Sequence, residues 1–174
     1  YHMHGSIGTS AAVAMMGDDG VMTIQNASQS VFGTGQAIAA MLGMDPSNVH
    51  MQHVDGSGCY GHNMADDAAA DAALLARALP GRPVRLQYTR AQEHKWEPYG
   101  SAMVMNIRAE LDDDGNVLDW VFNNYSTAHS TRPSGGDPGQ LLSARYLAEP
   151  FEQPPGRDFG GPSYGAGRNA EAKY

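Results

Sequence analysis

The sequence predicts an α+β (mixed α/β) fold in which helices alternate with strands and hairpins. Apolar runs of strand length flank turns rich in glycine and aspartate, and two longer segments carry apolar residues at helical spacing. The chain has 174 residues, 41% of them hydrophobic, which is enough to fill the core of one ordinary domain.

The first predicted elements are a hairpin and a short helix. The runs AAVAMM and VMTIQNAS surround the turn GDDG at 17–20, whose residues tolerate the positive φ of tight turns. The next stretch, TGQAIAAMLGMDP, has apolar residues at helical spacing, with Thr34 as a candidate N-cap and Gly43 and Pro46 as stop signals. It is predicted to form an amphipathic helix.

A strand, a second helix and a long hairpin follow. VHMQHVD alternates as a strand does, and the alanine-rich segment 65–79 predicts a helix with Asp66 and Asp67 in its first turn. RPVRLQYTR is strand-like, and RAQEHKWEPYG is interpreted as packing residues of a strand end and a loop. The stretch from 102 to 126 predicts a hairpin that turns at 112–116.

The composition changes near the carboxyl end. From Ser130 onward Pro, Gly and polar residues dominate, and only GQLLSARYLAEP has helical character. We therefore divide the sequence into a domain over 1–129 and a Pro/Gly-rich extension over 130–174. Because the chain opens in strand-like sequence without a methionine, we expect a piece of a longer protein, with the extension continuing into further chain.

Charge and composition exclude several classes of partner. Lys+Arg 11 against Asp+Glu 19 gives a net charge of -8, which opposes binding to nucleic acid. No apolar run approaches the roughly 20 residues of a membrane span. The single cysteine, Cys59, excludes an iron-sulfur cluster held by this chain alone. The compartment is not indicated.

Gly56, Gly58 and Gly61 form the pattern G-x-G-x-x-G between a strand and a helix, as in dinucleotide-binding proteins. Polar residues interrupt the strand before them, whereas the first Rossmann strand is buried on both faces. The next strand ends in YTR, without the acidic residue that holds a ribose. Glycines still let backbone N–H groups approach an anion at a helix N-terminus. A phosphate or oxo ligand and a purely structural turn both stay open.

Metal-ligating side chains are not predicted. His50, His53, Cys59 and His62 have a zinc-like spacing, but positions three apart on a strand face opposite sides of the sheet. The aspartates of 112–116 lack the glycine offset and the final glutamate of an EF-hand loop.

Gln29 lies between a strand and a helix, so its amide could reach the same strand ends as the glycine turn. Alone, such an amide is more often a surface group. No Ser/His/Asp order and no paired-carboxylate site is evident. Residue chemistry by itself therefore indicates a ligand-binding α/β fragment.

Four blocks of the sequence together carry a more specific resemblance. HGSIGTSAAVA, NASQSVFG, GSGCYGHNMADDAAADAALLARALPGRPVRLQYTRAQEHKWEPYG and GRNA extend from His4 to Asn169, nearly the whole chain. They resemble the molybdenum-binding subunit of the xanthine dehydrogenase and aldehyde oxidase superfamily, and within it most closely the isoquinoline 1-oxidoreductase beta-subunit type. The domain over 1–129 would then be part of the molybdopterin-binding domain.

The resemblance implies an oxidoreductase that hydroxylates N-heteroaromatic rings or oxidises aldehydes with water-derived oxygen. The implied cofactor is molybdopterin cytosine dinucleotide with molybdenum, and iron-sulfur clusters would lie only on a partner chain. The implied partners are that iron-sulfur subunit, the rest of the molybdenum subunit and a small aromatic or aldehyde substrate.

The resemblance also implies roles for five residues. Gln29 matches the catalytic glutamine that approaches the apical oxo ligand of molybdenum. Tyr60 and Gly61 match the aromatic-glycine pair whose backbone lies beside the metal, and Gly58 and Cys59 would line the pterin side. Pre-positioned N–H donors of this kind stabilise negative charge on such ligands.

Two departures from the superfamily pattern limit the expected chemistry. The glutamate that follows the glycine-rich loop is replaced by HNM at 62–64, which disfavours xanthine-like substrates. The general-base glutamate lies downstream of the matched region and has no counterpart here, so the chain alone should not turn over. The alternative is a non-catalytic cofactor-scaffold or assembly module without bound molybdenum.

Overall fold

The computed structural model describes residues 3–100, 102–126, 132–155 and 170–173. Helices and strands alternate along these residues, which confirms the mixed α+β class. In chain order they are β1 (Ala11–Met16), β2 (Met22–Asn26), α1 (Val31–Leu42), β3 (Val49–His53), α2 (Met64–Ala78), β4 (Val84–Gln87), α3 (Arg90–Trp96), β5 (Met103–Leu111), β6 (Val117–Ser126) and β7 (Ala170–Lys173).

The described residues form two compact units. The larger unit contains 3–99 and 132–154, and the smaller contains residue 100, 102–126, residue 155 and 170–173. The predicted boundary between residues 129 and 130 stays a prediction. Residues 167–169 of the GRNA block lie outside the described residues.

The larger unit is built on a four-stranded sheet in the order β3-β2-β1-β4. Alternate residues of β1 and β2 are buried, among them Ala14 and Ile24, each 1% exposed. This period-two pattern places one sheet face against α1 and α2. Helix α2 lies close to the sheet because its inward positions are alanines, such as Ala69 and Ala72, with no exposed surface.

Because of the strand directions, several turns of the chain lie at the same edge of the sheet, the edge at which three of the strands end. β2 runs parallel to β3, whereas β1 runs antiparallel to both β2 and β4. The carboxyl ends of β2, β3 and β4 therefore meet beside the start of β1. Ligands of sheets with parallel strands bind at such an edge. The turns 27–30 and 54–63 both lie there.

The predicted hairpin at 17–20 and helix 65–79 are confirmed, with α2 beginning one residue earlier than expected. Gly43 ends α1 in the left-handed conformation, φ 64°, as predicted. The prediction of Thr34 as N-cap is wrong. Ser30 is the N-cap, and Thr34 lies one turn inside the helix, where its N–H donates to the Ser30 carbonyl at 2.9 Å.

Two segments differ from their predicted structure. The loop expected after β4 contains α3, which begins with a capping box between Thr89 and Gln92. The helical character of GQLLSARYLAEP corresponds to two short 3-10 helices, Pro138–Gln140 and Ser143–Tyr146, rather than to one α-helix. The chain doubles back here, with the Phe151 N–H donating to the Ala144 carbonyl at 3.1 Å.

The smaller unit is an antiparallel sheet in the order β5-β6-β7. The predicted hairpin between β5 and β6 is confirmed. Its turn is held by the Asp112 carboxylate, which accepts hydrogen bonds from the backbone N–H groups of Asp114 at 3.0 Å and Asn116 at 2.7 Å. Within the described residues, no helix has the length and apolar character that crossing a bilayer requires.

Candidate functional site

The structure brings Gln29 and the glycine turn together at the strand ends. Gln29 follows β2 and has an exposed side chain. Its Oε1 accepts a hydrogen bond from the backbone N–H of Gly61 at 3.3 Å. Two of the five residues singled out in the sequence therefore touch, although they are 32 positions apart.

The three glycines of the pattern serve different purposes. Gly56 allows close packing, since a Cβ there would lie 2.5 Å from the Cβ of Ala27. Gly58 has φ +115°, and a Cβ on it would lie 2.4 Å from the Tyr60 hydroxyl. Gly61 has φ +93°, but nothing lies within 4 Å of the position that its Cβ would take. The turn is thus partly structural, while open space remains beside Gly61.

Cys59 and Asn63 connect the turn to the start of α2. Cys59 is 7% exposed, with its Sγ 3.8 Å from Asn63 Oδ1. That Oδ1 also caps the helix by accepting from the Ala65 N–H at 2.9 Å. The Asn63 Nδ2 atom is buried and has no hydrogen-bond partner within the described ranges. Buried donors are rarely left this way, so Nδ2 is available to an acceptor on a ligand.

Arg132 connects this region to a distant part of the chain. Its Nη1 donates to Gln29 Oε1 at 3.2 Å, and its Nε donates to Asp66 Oδ2 at 3.1 Å. Its Nη2 lies 3.1 Å from Ser28 Oγ and 3.5 Å from Cys59 Sγ. Sequence reasoning missed Arg132, because it follows no periodic pattern and lies 103 positions from Gln29.

Asp66 is the acidic centre of this cluster. Its carboxylate is fully buried and accepts hydrogen bonds from the Ser28 hydroxyl and, at 3.1 Å, from the Thr34 hydroxyl. The first turn of α2 favours a negative charge, and the Arg132 guanidinium supplies the counter-charge. A buried carboxylate is tolerated only with such partners.

A neighbouring amide holds Ser28 in place. The backbone N–H of Ser28 donates to Asn26 Oδ1 at 2.7 Å. Asn26 Nδ2 donates to the carbonyls of Ala11 at 2.9 Å and Ala65 at 3.0 Å. These bonds connect β1, β2 and α2, so the cluster is supported by rigid elements rather than by loops alone.

Burial shifts the pKa of two further groups near this helix end. It lowers the pKa of His62 to about 4, with Asp66 opposing the shift and Arg132 adding to it. It raises the pKa of Asp67 to about 7, although the Leu142 N–H donates to its Oδ1 at 2.7 Å. His62 is therefore neutral at pH 7, and Asp67 is close to half-protonated.

A cleft of about 310 Å³ lies along the same sheet edge. Its lining comes from the segment before β1, the ends of β2, β3 and β4, and the glycine turn, and it includes Gly8, Ser57, Gly58, Arg85 and Gln87. Hydroxyl, guanidinium and amide donors thus accompany the glycines in the cleft.

The other histidines noted in the sequence do not converge. His50 Nε2 lies 3.0 Å from the Ser47 carbonyl, and His53 Nδ1 lies 3.0 Å from the Ser28 carbonyl. Among the described residues, no group of three or more His, Cys, Asp or Glu side chains could hold a metal ion.

Comparisons with known proteins agree on one family. The sequence model of the molybdopterin cofactor-binding domain family matches residues 1–136. A nicotinate dehydrogenase subunit of Pseudomonas putida is 38% identical over 150 residues, which are 86% of this chain and 12% of that protein. The aldehyde oxidoreductase of Megalodesulfovibrio gigas is 28% identical over 161 residues, 90% of this chain and 17% of that protein. The chain thus spans less than a fifth of the length of these curated relatives.

Two solved structures are similar in fold to this chain. The aldehyde oxidoreductase of Desulfovibrio gigas aligns with a TM-score of 0.56 and 29% identity, over 67% of this chain and 13% of that chain. The CO dehydrogenase of Oligotropha carboxidovorans aligns with a TM-score of 0.52 at 18% identity, over 67% of this chain and 15% of that chain. At that identity the second match shows the fold alone.

Proposed function

The chain belongs to the molybdopterin cofactor-binding domain family, and we propose that it forms part of the molybdenum-cofactor site of a molybdenum hydroxylase. The observation that carries the proposal is the contact between Gln29 and Gly61 at the open edge of the sheet. The resemblance to the xanthine dehydrogenase and aldehyde oxidase superfamily is confirmed, whereas the isoquinoline type stays a prediction.

The residues at this edge fit an anionic, oxygen-rich cofactor. The space beside Gly61 is open, and Asn63 Nδ2 is a buried donor without a partner in the described part of the chain. The cleft that ends at the glycine turn carries the Arg85 guanidinium and the Ser57 hydroxyl, which are donors suited to phosphate groups.

Within the proposal, the residues divide into two groups. The Gln29 amide and the backbone beside Tyr60 and Gly61 would face the metal end of the cofactor, with Gln29 as the catalytic residue. Gly58 and Cys59 would line the pterin side. When bound, the cofactor supplies the two-electron oxidation and the water-derived oxygen. The chain's own residues bind it, orient it and present N–H donors to developing negative charge.

The form of the cofactor and the partners follow from the same proposal. We infer molybdopterin cytosine dinucleotide, with electrons passing to iron-sulfur clusters on a partner chain. A multi-subunit assembly is supported by the nicotinate dehydrogenase relative, which is named as one subunit of its enzyme. This chain spans 12% of that relative, so a larger molybdenum subunit is also part of the proposal. The remainder of the molybdenum subunit would complete the substrate pocket and supply the general base.

A small N-heteroaromatic ring is the favoured substrate class. The relative with 38% identity is named for nicotinate, and the relative with 28% identity is named for aldehydes. An aldehyde is therefore the second candidate. The HNM sequence at 62–64 continues to disfavour xanthine-like substrates.

Substitution of Gln29 tests the proposal. Gln29→Ala in the complete natural protein should lower turnover per bound molybdenum by about 100-fold, the effect of losing one positioned donor, with cofactor content nearly unchanged. Gln52→Ala is the matched control, because Gln52 is also an exposed amide, but it lies on β3 and its side chain contacts Gln25 rather than Gly61. Equal turnover per molybdenum in wild type and Gln29→Ala would contradict the role. Absence of molybdenum from intact wild type would favour the scaffold or assembly alternative.

A further inference from the structure

The orientation of the Gln29 amide is set by its two neighbours. The Gly61 N–H and the Arg132 guanidinium are both donors and carry no acceptor. The carbonyl oxygen of Gln29 must therefore face them, and its Nε2 group must face away. Gln29 Nε2 makes no hydrogen bond to any residue that the structure describes, so its two N–H donors remain for another partner.

Arg132 is itself held in a single orientation. Its guanidinium contacts Asp66, Ser28, Cys59 and Gln29 at 3.1 to 3.5 Å, and its side chain is only 18% exposed. A planar guanidinium with several fixed donors loses little freedom for each bond it makes. The buried Asp66 carboxylate is the anchor for this arrangement, since it is fully buried and belongs to the first turn of α2.

Without Arg132, the amide would be held less firmly. Its remaining bond would be the one from Gly61, which at 3.3 Å is long for an N–H to oxygen bond. An exposed glutamine with one long bond samples several rotamers and can turn its oxygen outward. Arg132 therefore determines both where the amide lies and which of its ends, the oxygen or the Nε2 group, faces outward.

We propose that Arg132 is a positioning residue that holds the Gln29 oxygen and thereby directs the Gln29 Nε2 donors into the cofactor site. This inference rests on the proposed function, because it assigns those donors to the molybdenum cofactor. It adds to the site a residue 103 positions from Gln29, and it gives the buried Asp66 carboxylate the role of anchoring that residue.

The first experiment uses Arg132→Lys, Gln29→Ala and the double variant in the complete molybdenum-containing enzyme. Lysine keeps the positive charge for Asp66 but lacks the planar donors that reach Gln29 and Ser28 together. We expect Arg132→Lys to lower kcat about ten- to hundred-fold at unchanged molybdenum content, as small misplacements of positioned groups do. In the Gln29→Ala background the same substitution should lower kcat no further, because the residue that Arg132 positions is already gone.

A spectroscopic readout separates positioning from general damage to the fold. The Mo(V) electron paramagnetic resonance spectrum, recorded after partial reduction with dithionite, should change in Arg132→Lys as it does in Gln29→Ala. An unchanged spectrum, or kcat losses that multiply in the double variant, would overturn the inference while the proposed function stands.

A second variant tests the contact without altering Arg132. Gln29→Glu keeps an acceptor for Arg132 and removes the Nε2 donors, so it should melt at a higher temperature than Gln29→Ala while giving an altered Mo(V) spectrum. A melting temperature below that of Gln29→Ala would show that this side chain does not accept from Arg132. If wild type holds no molybdenum, the proposed function fails and the assignment of the donors fails with it, whereas the melting comparison still reports on the contact.

Discussion

Substitution of Gly61 by alanine separates the structural from the ligand-binding purpose of the glycine turn. Gly61 has φ +93°, so an alanine there pays the left-handed backbone penalty of about 1–2 kcal/mol. Gly20, in the turn between β1 and β2, has φ +81° and likewise has nothing within 4 Å of the position of its Cβ. Gly20→Ala therefore carries nearly the same backbone penalty and is the matched control.

The two variants should differ in cofactor content. If the open space beside Gly61 receives the cofactor, the new methyl group crowds it and should weaken the binding free energy by about 1–3 kcal/mol. That corresponds to binding weaker by about 5- to 150-fold. Gly20→Ala should retain wild-type molybdenum, because its turn lies at the opposite end of β2 from the glycine turn.

The assay is molybdenum per protein by elemental analysis, together with thermal denaturation of each variant. We expect similar decreases in melting temperature and a selective loss of molybdenum in Gly61→Ala. Equal molybdenum content in both variants would refute the assignment of this space to the cofactor. An equal loss of molybdenum in both variants would mean that destabilisation of the fold alone causes the loss.

Two further predictions concern stability. Burial raises the pKa of Asp67 to about 7 in the folded protein, against the ordinary value of 3.8. The folded state therefore keeps a proton that the unfolded chain releases, and the resulting stabilisation is complete below the ordinary pKa and is lost as pH rises through 7. Asp67→Asn should therefore gain up to about 4 kcal/mol relative to wild type between pH 4 and pH 8, measured by chemical denaturation; a pH-independent difference would contradict this. Ala72→Leu should lose about 1–3 kcal/mol, because Ala72 is fully buried between α2 and the sheet. The exposed Ala78→Leu should change stability little, and equal losses would contradict the packing described for α2.

Local signals were sufficient for several elements. Helix α2 combines strong helix formers with acidic residues in its first turn, and the hairpin at 112–116 has turn residues whose hydrogen bonds are local. Helix α3 had a signal that sequence reasoning passed over, since Thr89 and Gln92 have the spacing of a capping box.

Tertiary contacts decided what local reasoning could not. Thr34 has the chemistry of an N-cap, but its hydroxyl donates to Asp66 across the core and the helix begins before it. Gln29 and Gly61 could be placed at one edge from strand order, because successive strand ends gather there. Arg132 could not be placed there from the sequence, because its contacts depend on how a Pro/Gly-rich segment returns to that edge.

Molybdenum content tests the central claim most directly. It should be measured on the natively purified complete protein with its co-purifying chains, together with mass spectrometry of the acid-released nucleotide. We predict stoichiometric molybdenum and a cytidine nucleotide. Folded, intact protein with neither molybdenum nor nucleotide would contradict the claim that this sheet edge forms part of a molybdenum-cofactor site.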